Sequence, residues 1–332
     1  MKPVPNTMGL ASINAAAGST VQTEDRSQTK TNFGFLAALA ANILWGASFL
    51  ASKATLGAWG PLGASTLRFI VASLLLGLGL LLVRGRIAIP KSLAAWVRVS
   101  SVAFVGFALL YPIQLAGLKL IPSGFSAAIM LTSPLFVILG GVLFLGESFA
   151  RNKLLAVGIG MAGGAVLLSE SIAGHQTMSN DFLLGSALTL LASLSLATSV
   201  ILTRKASRDI DAGSLTFWTM LLGALGIGLL ALIFEPEFSI RSLVIAPTSA
   251  WVALIFLALI CSALCFFMWN FALAKASPKE IASTMHIKTP TAIMLGCILA
   301  GEPMSLSLVA GTVIVSAGLY LSQKRETVKG SR

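Results

Sequence analysis

Long apolar stretches with very few charges recur along this chain, and short polar segments separate them. A helix of about twenty apolar residues is long enough to cross the hydrocarbon core of a bilayer. The sequence predicts ten such spans, near residues 33–52, 62–83, 97–118, 123–145, 154–169, 182–203, 213–234, 250–272, 281–300 and 305–321. We therefore expect an all-α, polytopic membrane protein.

The composition supports this prediction and excludes a soluble protein. Of the 332 residues, 56% are hydrophobic and 11% are charged, whereas a soluble domain has about 25% charged residues. Residues 1–32 are rich in Ala, Ser and Thr and lack the compact apolar core of a signal peptide, so we expect a disordered cytoplasmic tail. Residues 323–332 are predicted to form a second cytoplasmic tail.

The basic residues are concentrated in alternate polar segments. If the N-terminus is cytoplasmic, the cytoplasmic segments hold most of the 23 basic residues, whereas the outer loops hold Lys53, Lys119 and Arg241. The positive-inside rule therefore predicts a multi-pass protein of the inner (plasma) membrane with both termini in the cytoplasm. The same distribution explains the net charge of +11 without nucleic acid, because these cations face anionic lipid headgroups.

The two halves of the chain carry the same pattern of distinctive residues. Four of them recur 156 positions later: Gln114, Lys119, Pro122 and Pro134 correspond to Asn270, Lys275, Pro278 and Pro290. Gly146-Glu147 corresponds to Gly301-Glu302 at a spacing of 155. Each copy, 33–169 and 182–322, contains five spans, and an odd number makes the second copy enter the membrane from the opposite face. The sequence therefore predicts two inverted repeats, as in many transporters.

Three short motifs within this frame carry a family resemblance. They are Trp45-Gly46-Ala47-Ser48-Phe49 in the first span, Arg68-Phe69 in the second, and the doubled segment from proline to Gly-Glu. Together they resemble the drug/metabolite transporter superfamily, EamA type with ten spans. The resemblance implies a five-plus-five inverted bundle around a central cavity, alternating access, and often export of amino acids or related metabolites. The second copy departs from the pattern, because Ala197 or a neighbour stands where the first copy has Trp45.

Ionisable residues inside the spans are candidates for substrate contacts. Each costs about 2.5–3.5 kcal/mol on insertion scales and is expected to face protein or water. Lys288 and His286 lie in the ninth span, just before Pro290. A cavity-facing Lys288 would attract a carboxylate or phosphate, and the alternative is a snorkelling amine. For Arg68, near the outer end of the second span, we expect snorkelling or pairing with carbonyls.

Two polar residues related by the repeat are further candidates. Gln114 and Asn270 could hydrogen-bond a substrate near the midplane, or they could form an interhelical hydrogen bond instead. Tyr111 lies one turn before Gln114, and Trp269 neighbours Asn270. These rings could wall a cavity for an amphipathic molecule, or they could pack in the core.

The first span adds two residues to the substrate-binding candidates. Trp45 lies beside Gly46, and a glycine lets another backbone approach closely. Ser48 lies one turn from Trp45. We therefore expect this part of the span to border the cavity.

Two pairs of residues related by the repeat are candidates for hinges and gates. Pro134 and Pro290 each interrupt a span, so they could absorb a rocking motion or be static kinks. Glu147 and Glu302 lie at the mouths of the bundle. We interpret them first as helix-end or loop anchors and second as gates.

The predicted spans contain no Asp or Glu, so the carboxylate that carries protons in many coupled transporters is missing. His286 is then the group in a span that titrates near neutral pH. Exchange and facilitated diffusion stay open beside proton coupling. The expected partners are a small-molecule substrate, the lipid bilayer and a proton or counter-substrate, and both a monomer and a homodimer remain possible.

Other classes of function fit the sequence less well. A membrane enzyme would need a nucleophile with its base or a set of metal ligands, but the sequence shows no motif for a metal, a cofactor or a catalytic serine. A scaffold or sensor gives no reason for an inverted repeat. We expect a secondary transporter that exports a small amphipathic metabolite, an amino acid or its derivative. The alternative is uptake or exchange of another organic anion, a nucleotide-linked metabolite or a drug.

Overall fold

The computed structural model describes the main chain of residues 8–145, 151–169, 180–275 and 284–323. Side chains are described at these positions except 8–32, 144–145, 151–154, 168, 270, 273–274 and 322–323. The described chain is α-helical without a β-strand, which confirms the predicted class. Its first helix includes the main chain of residues 8–32, for which the sequence predicts a disordered tail; this tail stays a prediction.

The helices follow one another with short connections. In chain order they are α1 (Met8–Arg84), α2 (Leu93–Ala103), α3 (Leu110–Leu120), α4 (Ser123–Met130), α5 (Ser133–Leu145), α6 (Arg151–Ser169), α7 (Asn180–Ala206), α8 (Ala212–Phe234), α9 (Ile240–Ile245), α10 (Thr248–Ile255), α11 (Cys265–Lys275), α12 (Lys288–Ala300) and α13 (Leu306–Gln323).

Most of these helices are apolar enough for a bilayer. Within the described residues, six stretches are long enough to cross it: Phe33–Arg84, Leu93–Leu120, Ser123–Leu143, Asn180–Ala206, Ala212–Phe234 and Thr248–Trp269. Three apolar helices are shorter: Leu155–Leu167, Met285–Ala300 and Leu306–Leu321. The chain is therefore a polytopic membrane protein, as its apolar stretches predict.

Helix α1 breaks at Gly60, so the stretch Phe33–Arg84 consists of two helices. The φ angle of Gly60 is 66°, in the left-handed region that favours glycine. Pro61 follows, and proline suits the first turn of a new helix. The Glu235 carboxylate accepts hydrogen bonds from the N–H groups of Leu62 at 2.9 Å and Gly63 at 2.8 Å. An acidic side chain thus satisfies free donors at this helix start.

Two π-helical segments lie at positions related by the spacing of the repeat. Phe104–Leu109 joins α2 to α3, and Phe256–Leu264 joins α10 to α11. A π-helical turn disturbs the regular hydrogen bonding of a helix, and one carbonyl in each segment accepts from a side chain of another helix. Ser195 Oγ donates to the carbonyl of Val105 at 2.7 Å, and Trp45 Nε1 donates to that of Cys261 at 2.8 Å. Val105 and Cys261 are 156 residues apart.

Helix breaks also occur at related positions. The chain turns at residues 131–132 between α4 and α5, and the 3-10 turn Met285–Ile287 precedes α12. Pro134 and Pro290 lie in the first turn of the helix that follows each break. Proline lacks an N–H group, but an N–H in the first turn of a helix has no partner within the helix, so no helical hydrogen bond is lost there. The two broken regions contact each other, since Thr289 Oγ1 donates to the carbonyl of Ala127 at 3.3 Å.

Glycines allow α6 and α13 to approach closely. A Cβ atom on Gly163 would lie 2.7 Å from the main-chain nitrogen of Val315, and one on Gly318 would lie 2.8 Å from the carbonyl oxygen of Ala156. Gly163 and Gly318 are the residues that the repeat relates at a spacing of 155. Each glycine therefore lies at the contact between the last helices of the two copies.

Charged residues mark the two ends of the bundle. At the end that we call the Asp209 end, Arg98 contacts Asp209 at 2.6 Å and Arg84 contacts Asp211 at 2.7 Å. The hydrogen bond from Arg98 holds the pKa of the Asp209 carboxyl below its ordinary value. At the opposite end, the Glu302 end, an acidic side chain meets a helix start, as described below.

Candidate functional site

Arg68 lies inside the bundle, which corrects the expectation that it snorkels outward. The residue is 6% exposed. Its Nε donates to Ser262 Oγ at 3.1 Å, and this is its one hydrogen bond within the described residues. The guanidinium carbon lies 5.2 Å from the ring centroid of Phe69 and 5.3 Å from that of Tyr111. The Arg68 side chain therefore lies among Phe69, Tyr111 and Ser262 and is nearly inaccessible to solvent.

Lys288 is the first residue of α12, directly after the 3-10 turn. Its Nζ lies 5.4 Å from the ring centroid of Phe49, a distance at which a cation is attracted to an aromatic face. Within the described part of the chain the ammonium has no hydrogen bond or ion pair. The main chain of α1 packs closely against the start of α12 here, because a Cβ on Gly46 would lie 2.5 Å from the Lys288 carbonyl oxygen.

The two cations belong to one neighbourhood. The charge of Arg68 acts on Lys288, and both charges have the same sign, so they repel each other. Phe49 and Tyr111, which contact one cation each, pack in the same apolar cluster. We call this group, Arg68, Lys288, Phe49, Tyr111 and Ser262, the cationic site.

The two residues predicted on the third span, Tyr111 and Gln114, differ in their contacts. Tyr111 lies 4.4 Å from Phe69 and 5.8 Å from Phe107 between ring centroids. Gln114, one turn further, is half-buried, and its amide has no hydrogen-bond partner among the described residues. An amide without a protein partner is able to bind a substrate or water.

Trp45 and Trp269, two of the predicted substrate contacts, pack in one aromatic group with Phe266. The Trp45 ring lies 5.8 Å from Phe266 and 5.4 Å from Trp269 between centroids. Its indole N–H is occupied by the Cys261 carbonyl, and Ser48 Oγ donates to the Trp45 carbonyl at 2.6 Å. These groups therefore hold α1 against α11 and the π-helical segment before it. Asn270 lies on α11, and its side chain is outside the described residues.

The remaining predicted residues lie at the helix breaks. His286 is half-buried in the 3-10 turn that leads into Lys288. Pro134 is half-buried, whereas Pro290 is exposed on the outside of the bundle. These two prolines start helices and lie beside the cationic site rather than in it.

Glu302 organises the Glu302 end of the bundle. It accepts hydrogen bonds from the N–H and the hydroxyl of Ser123 at 2.8 and 2.7 Å, and its other oxygen lies 2.8 Å from Lys53 Nζ. Burial raises the pKa of the Glu302 carboxyl, but the hydrogen bonds from Lys53 and Ser123 outweigh burial and leave the pKa below its ordinary value. The start of α4 is thereby tied to α1 and α12. Glu147, its counterpart in the repeat, lies outside the described residues.

Arg68 and Ser262 are not among the substrate-binding residues that the sequence predicts. An arginine within a span was a usable signal, but its distance from the end of the span favoured snorkelling. Ser262 gives no signal of its own, because serine is common in membrane helices. The pairing joins residues 194 positions apart, so it depends on tertiary structure. No cluster of His, Cys, Asp or Glu able to hold a metal is found among the residues that the structure describes.

Comparison with known proteins gives a consistent result over most of the chain. The EamA-like transporter family model matches residues 32–169 and 183–323. "Uncharacterized transporter YvbV" of Bacillus subtilis is 26% identical over 280 residues, which cover 84% of this chain and 88% of that protein. "Probable amino-acid metabolite efflux pump" of Salmonella typhimurium is 25% identical over 293 residues, which cover 87% and 94%.

A solved crystal structure shares the fold. The TM-score is 0.61 at 19% sequence identity, and the match covers 89% of this chain and 96% of that one. This likeness concerns the arrangement of the helices.

Proposed function

Because the chain belongs to the EamA-like transporter family, we propose that it is a secondary transporter. Its substrate is a small amphipathic metabolite that bears a carboxylate, an amino acid or a derivative of one. It moves the substrate across the inner membrane by alternating access, and we favour export. The observation that carries this proposal is the cationic site: two cations inside an apolar bundle, without a carboxylate partner among the described residues.

The proposed architecture has ten crossings in two inverted repeats. The six long stretches and three short helices give ten crossings once α1 is divided at Gly60. Three observations support the repeat: the related π-helical segments, the related helix breaks, and the family model that matches each half separately. The reciprocal contacts of Trp45 and Ser195 also support the repeat. A side chain of the first helix of each copy donates a hydrogen bond to a carbonyl in the π-helical segment of the other copy.

The proposed orientation has both termini in the cytoplasm. It follows from the distribution of basic residues along the sequence. In this orientation the Glu302 end faces outward and the Asp209 end faces the cytoplasm. The hydrogen bonds of Glu302 would then close the outer side of the bundle, and α4 and α12, which lie between this end and the cationic site, would move when it opens.

The preference for export comes from the relative in Salmonella typhimurium, whose name describes an efflux pump for amino-acid metabolites. Uptake or exchange of another organic anion is the second candidate. It is supported by the lack of Asp and Glu in the predicted spans, since proton-coupled export needs a group that carries the proton. Flux measured with and without an imposed pH gradient tests proton coupling: acceleration by the gradient supports a proton-coupled transporter, and unchanged flux supports exchange or facilitation.

Counterflow in proteoliposomes tests the proposal. Purified protein is reconstituted, loaded with one unlabelled metabolite at a time, and given the labelled compound outside; the panel contains amino acids and their derivatives. We expect saturable exchange above that of protein-free liposomes, and loss of this exchange in Lys288→Ala. Lys119→Gln is the matched control, because Lys119 is exposed at the end of α3. Absence of exchange for the whole panel, or full exchange by Lys288→Ala at normal abundance, would contradict the proposal.

A further inference from the structure

The positive charges of the cationic site are uncompensated in the described structure. The ion pairs of the described residues lie at the two ends of the bundle: Lys53 with Glu302, Arg84 with Asp211, and Arg98 with Asp209. Arg68 uses its Nε on a neutral hydroxyl and leaves its two terminal nitrogens without a protein acceptor among the described residues. A guanidinium edge of this kind is shaped to hold a carboxylate through two parallel hydrogen bonds.

Lys288 adds a second point of attraction for the same anion. Its ammonium and the guanidinium of Arg68 carry the same charge and repel each other. An anion bound near both groups offsets this repulsion. In an environment that excludes water, such pairing is stronger than at a surface.

A substrate amino group has no comparable partner. The acidic residues whose side chains are described lie at helix ends or in loops: Asp181, Asp209, Asp211, Glu235, Glu237 and Glu302. The carboxylates of Glu235 and Glu302 already accept hydrogen bonds from N–H groups at helix starts. An ammonium group that entered the cationic site would meet two cations and no carboxylate of the described residues.

Each of the two cations lies near at least one aromatic ring. Phe49 lies beneath Lys288, and Phe69 and Tyr111 lie beside Arg68. Their faces suit the apolar or aromatic body of an amphipathic molecule.

We infer that the cationic site binds an organic acid with an apolar or aromatic body, one that carries a carboxylate but no cationic amine. The inference rests on the proposed transport function and narrows its substrate class from amino acids in general to derivatives without the amine. Arg68 holds the carboxylate, and Lys288 provides the second positive charge.

A pair of probes with the same carbon skeleton tests this inference. The α-carbon carries an ammonium group and a hydrogen in phenylalanine. In phenylpyruvate the same carbon carries a keto oxygen instead. In proteoliposome counterflow, we expect wild-type protein to exchange phenylpyruvate at least about tenfold faster than phenylalanine, a preference equivalent to about 1.4 kcal/mol. Arg68→Gln and Lys288→Gln should each lower phenylpyruvate exchange about tenfold or more. Arg68→Lys and Lys288→Arg should retain part of it, and Lys119→Gln should retain all of it.

The outcomes separate failure of the inference from failure of the proposed function. If phenylalanine exchanges and phenylpyruvate does not, the chain is a transporter but the inference is wrong. If both glutamine variants exchange phenylpyruvate at the wild-type rate, the assigned site is wrong. If neither compound exchanges, thermal unfolding in detergent decides: stabilisation of wild type by phenylpyruvate, lost in both glutamine variants, supports the site, and no stabilisation overturns it.

Discussion

The indole N–H of Trp45 donates to the main-chain carbonyl of Cys261 at 2.8 Å, across a sequence separation of 216 residues. Cys261 lies in a π-helical segment, and its counterpart Val105 lies in the other one. Val105 receives a hydrogen bond from Ser195. The first helix of each half thus contacts an irregular helix of the other half, and the two halves are joined by exchanged contacts.

Removal of the hydrogen-bond donors of Trp45 and Ser195 should weaken the packing of the two halves against each other. Trp45→Phe keeps an aromatic ring but deletes the donor, and it should lower the free energy of unfolding by about 1–3 kcal/mol because a buried carbonyl loses its partner. Ser195→Ala should have an effect of the same order for the same reason. Thermal unfolding in detergent measures both changes.

Trp251→Phe is the matched control, because the Trp251 indole has no hydrogen bond among the described residues and packs against Trp59. An equal loss of stability in Trp251→Phe and Trp45→Phe would show that the ring, and not the hydrogen bond, matters at Trp45.

The close approach of α1 to α12 should not tolerate a side chain at Gly46. A Cβ there would lie 2.5 Å from the Lys288 carbonyl oxygen and 2.7 Å from Thr291 Cβ. Gly46→Ala should displace Lys288 and reduce transport about tenfold or more at normal membrane abundance. Gly57→Ala on the same helix is the control, because nothing lies within 4 Å of a Cβ at Gly57. Equal transport by the two variants would contradict this assignment.

The spans of this fold could be predicted from the sequence because membrane crossing depends on local properties. A run of apolar residues must be helical in a bilayer whatever its neighbours are, so the six long apolar stretches of the described residues lie where the sequence predicts spans. The number of ten crossings stays a prediction. The breaks before Pro134 and Pro290 were predicted for a similar reason, since proline acts on its own helix.

The candidate site was less predictable because its contacts join distant parts of the chain. From the sequence, the position of Arg68 near the end of a span favours snorkelling. Its contacts with Ser262 and Tyr111 are visible only in the folded structure. The sequence also assigned Trp45 to the cavity, but its N–H is occupied by a carbonyl that only the π-helical segment presents. Lys288 is a candidate from the sequence alone because a lysine within a span is unusual wherever its partners lie, and its role stays a prediction.

Protonation of Glu302 should weaken the Glu302 end of the bundle. Its pKa lies below the ordinary value in the folded protein, so its ionised form contributes stability at neutral pH. This contribution declines as the pH falls below the unfolded pKa of about 4.3 and is lost when the pH passes the lower folded value. Glu302→Gln should therefore be less stable than wild type at pH 7, by about 1–2 kcal/mol. The difference should shrink at about pH 3.

Thermal unfolding of both proteins across this pH range checks the prediction. Lys119→Gln again serves as a control for loss of a surface charge. A constant difference between wild type and Glu302→Gln at every pH would mean that the carboxylate charge is not what stabilises this end.

The helix breaks should matter for the rate of transport rather than for substrate binding. Pro134→Ala and Pro290→Ala restore an N–H that can extend each helix back through its break. A straighter, stiffer helix should slow the conformational change and lower the maximal exchange rate several-fold, while the half-saturating substrate concentration changes little. Counterflow at varied substrate concentration measures both quantities. A change in half-saturation alone would assign the prolines to binding instead.

Alternating access through one shared site requires the two halves to lie in opposite orientations in the membrane, and accessibility labelling tests this orientation directly. Met304 is 61% exposed beside Glu302, and Phe149 is its counterpart at a spacing of 155. Met304→Cys and Phe149→Cys are made separately in a protein whose three native cysteines are replaced by alanine, and intact spheroplasts are treated with an impermeant maleimide. We expect Met304→Cys to react from outside and Phe149→Cys to react only after the membrane is permeabilised. Reaction of both from the same side would contradict the inverted repeat and, with it, alternating access through one shared site.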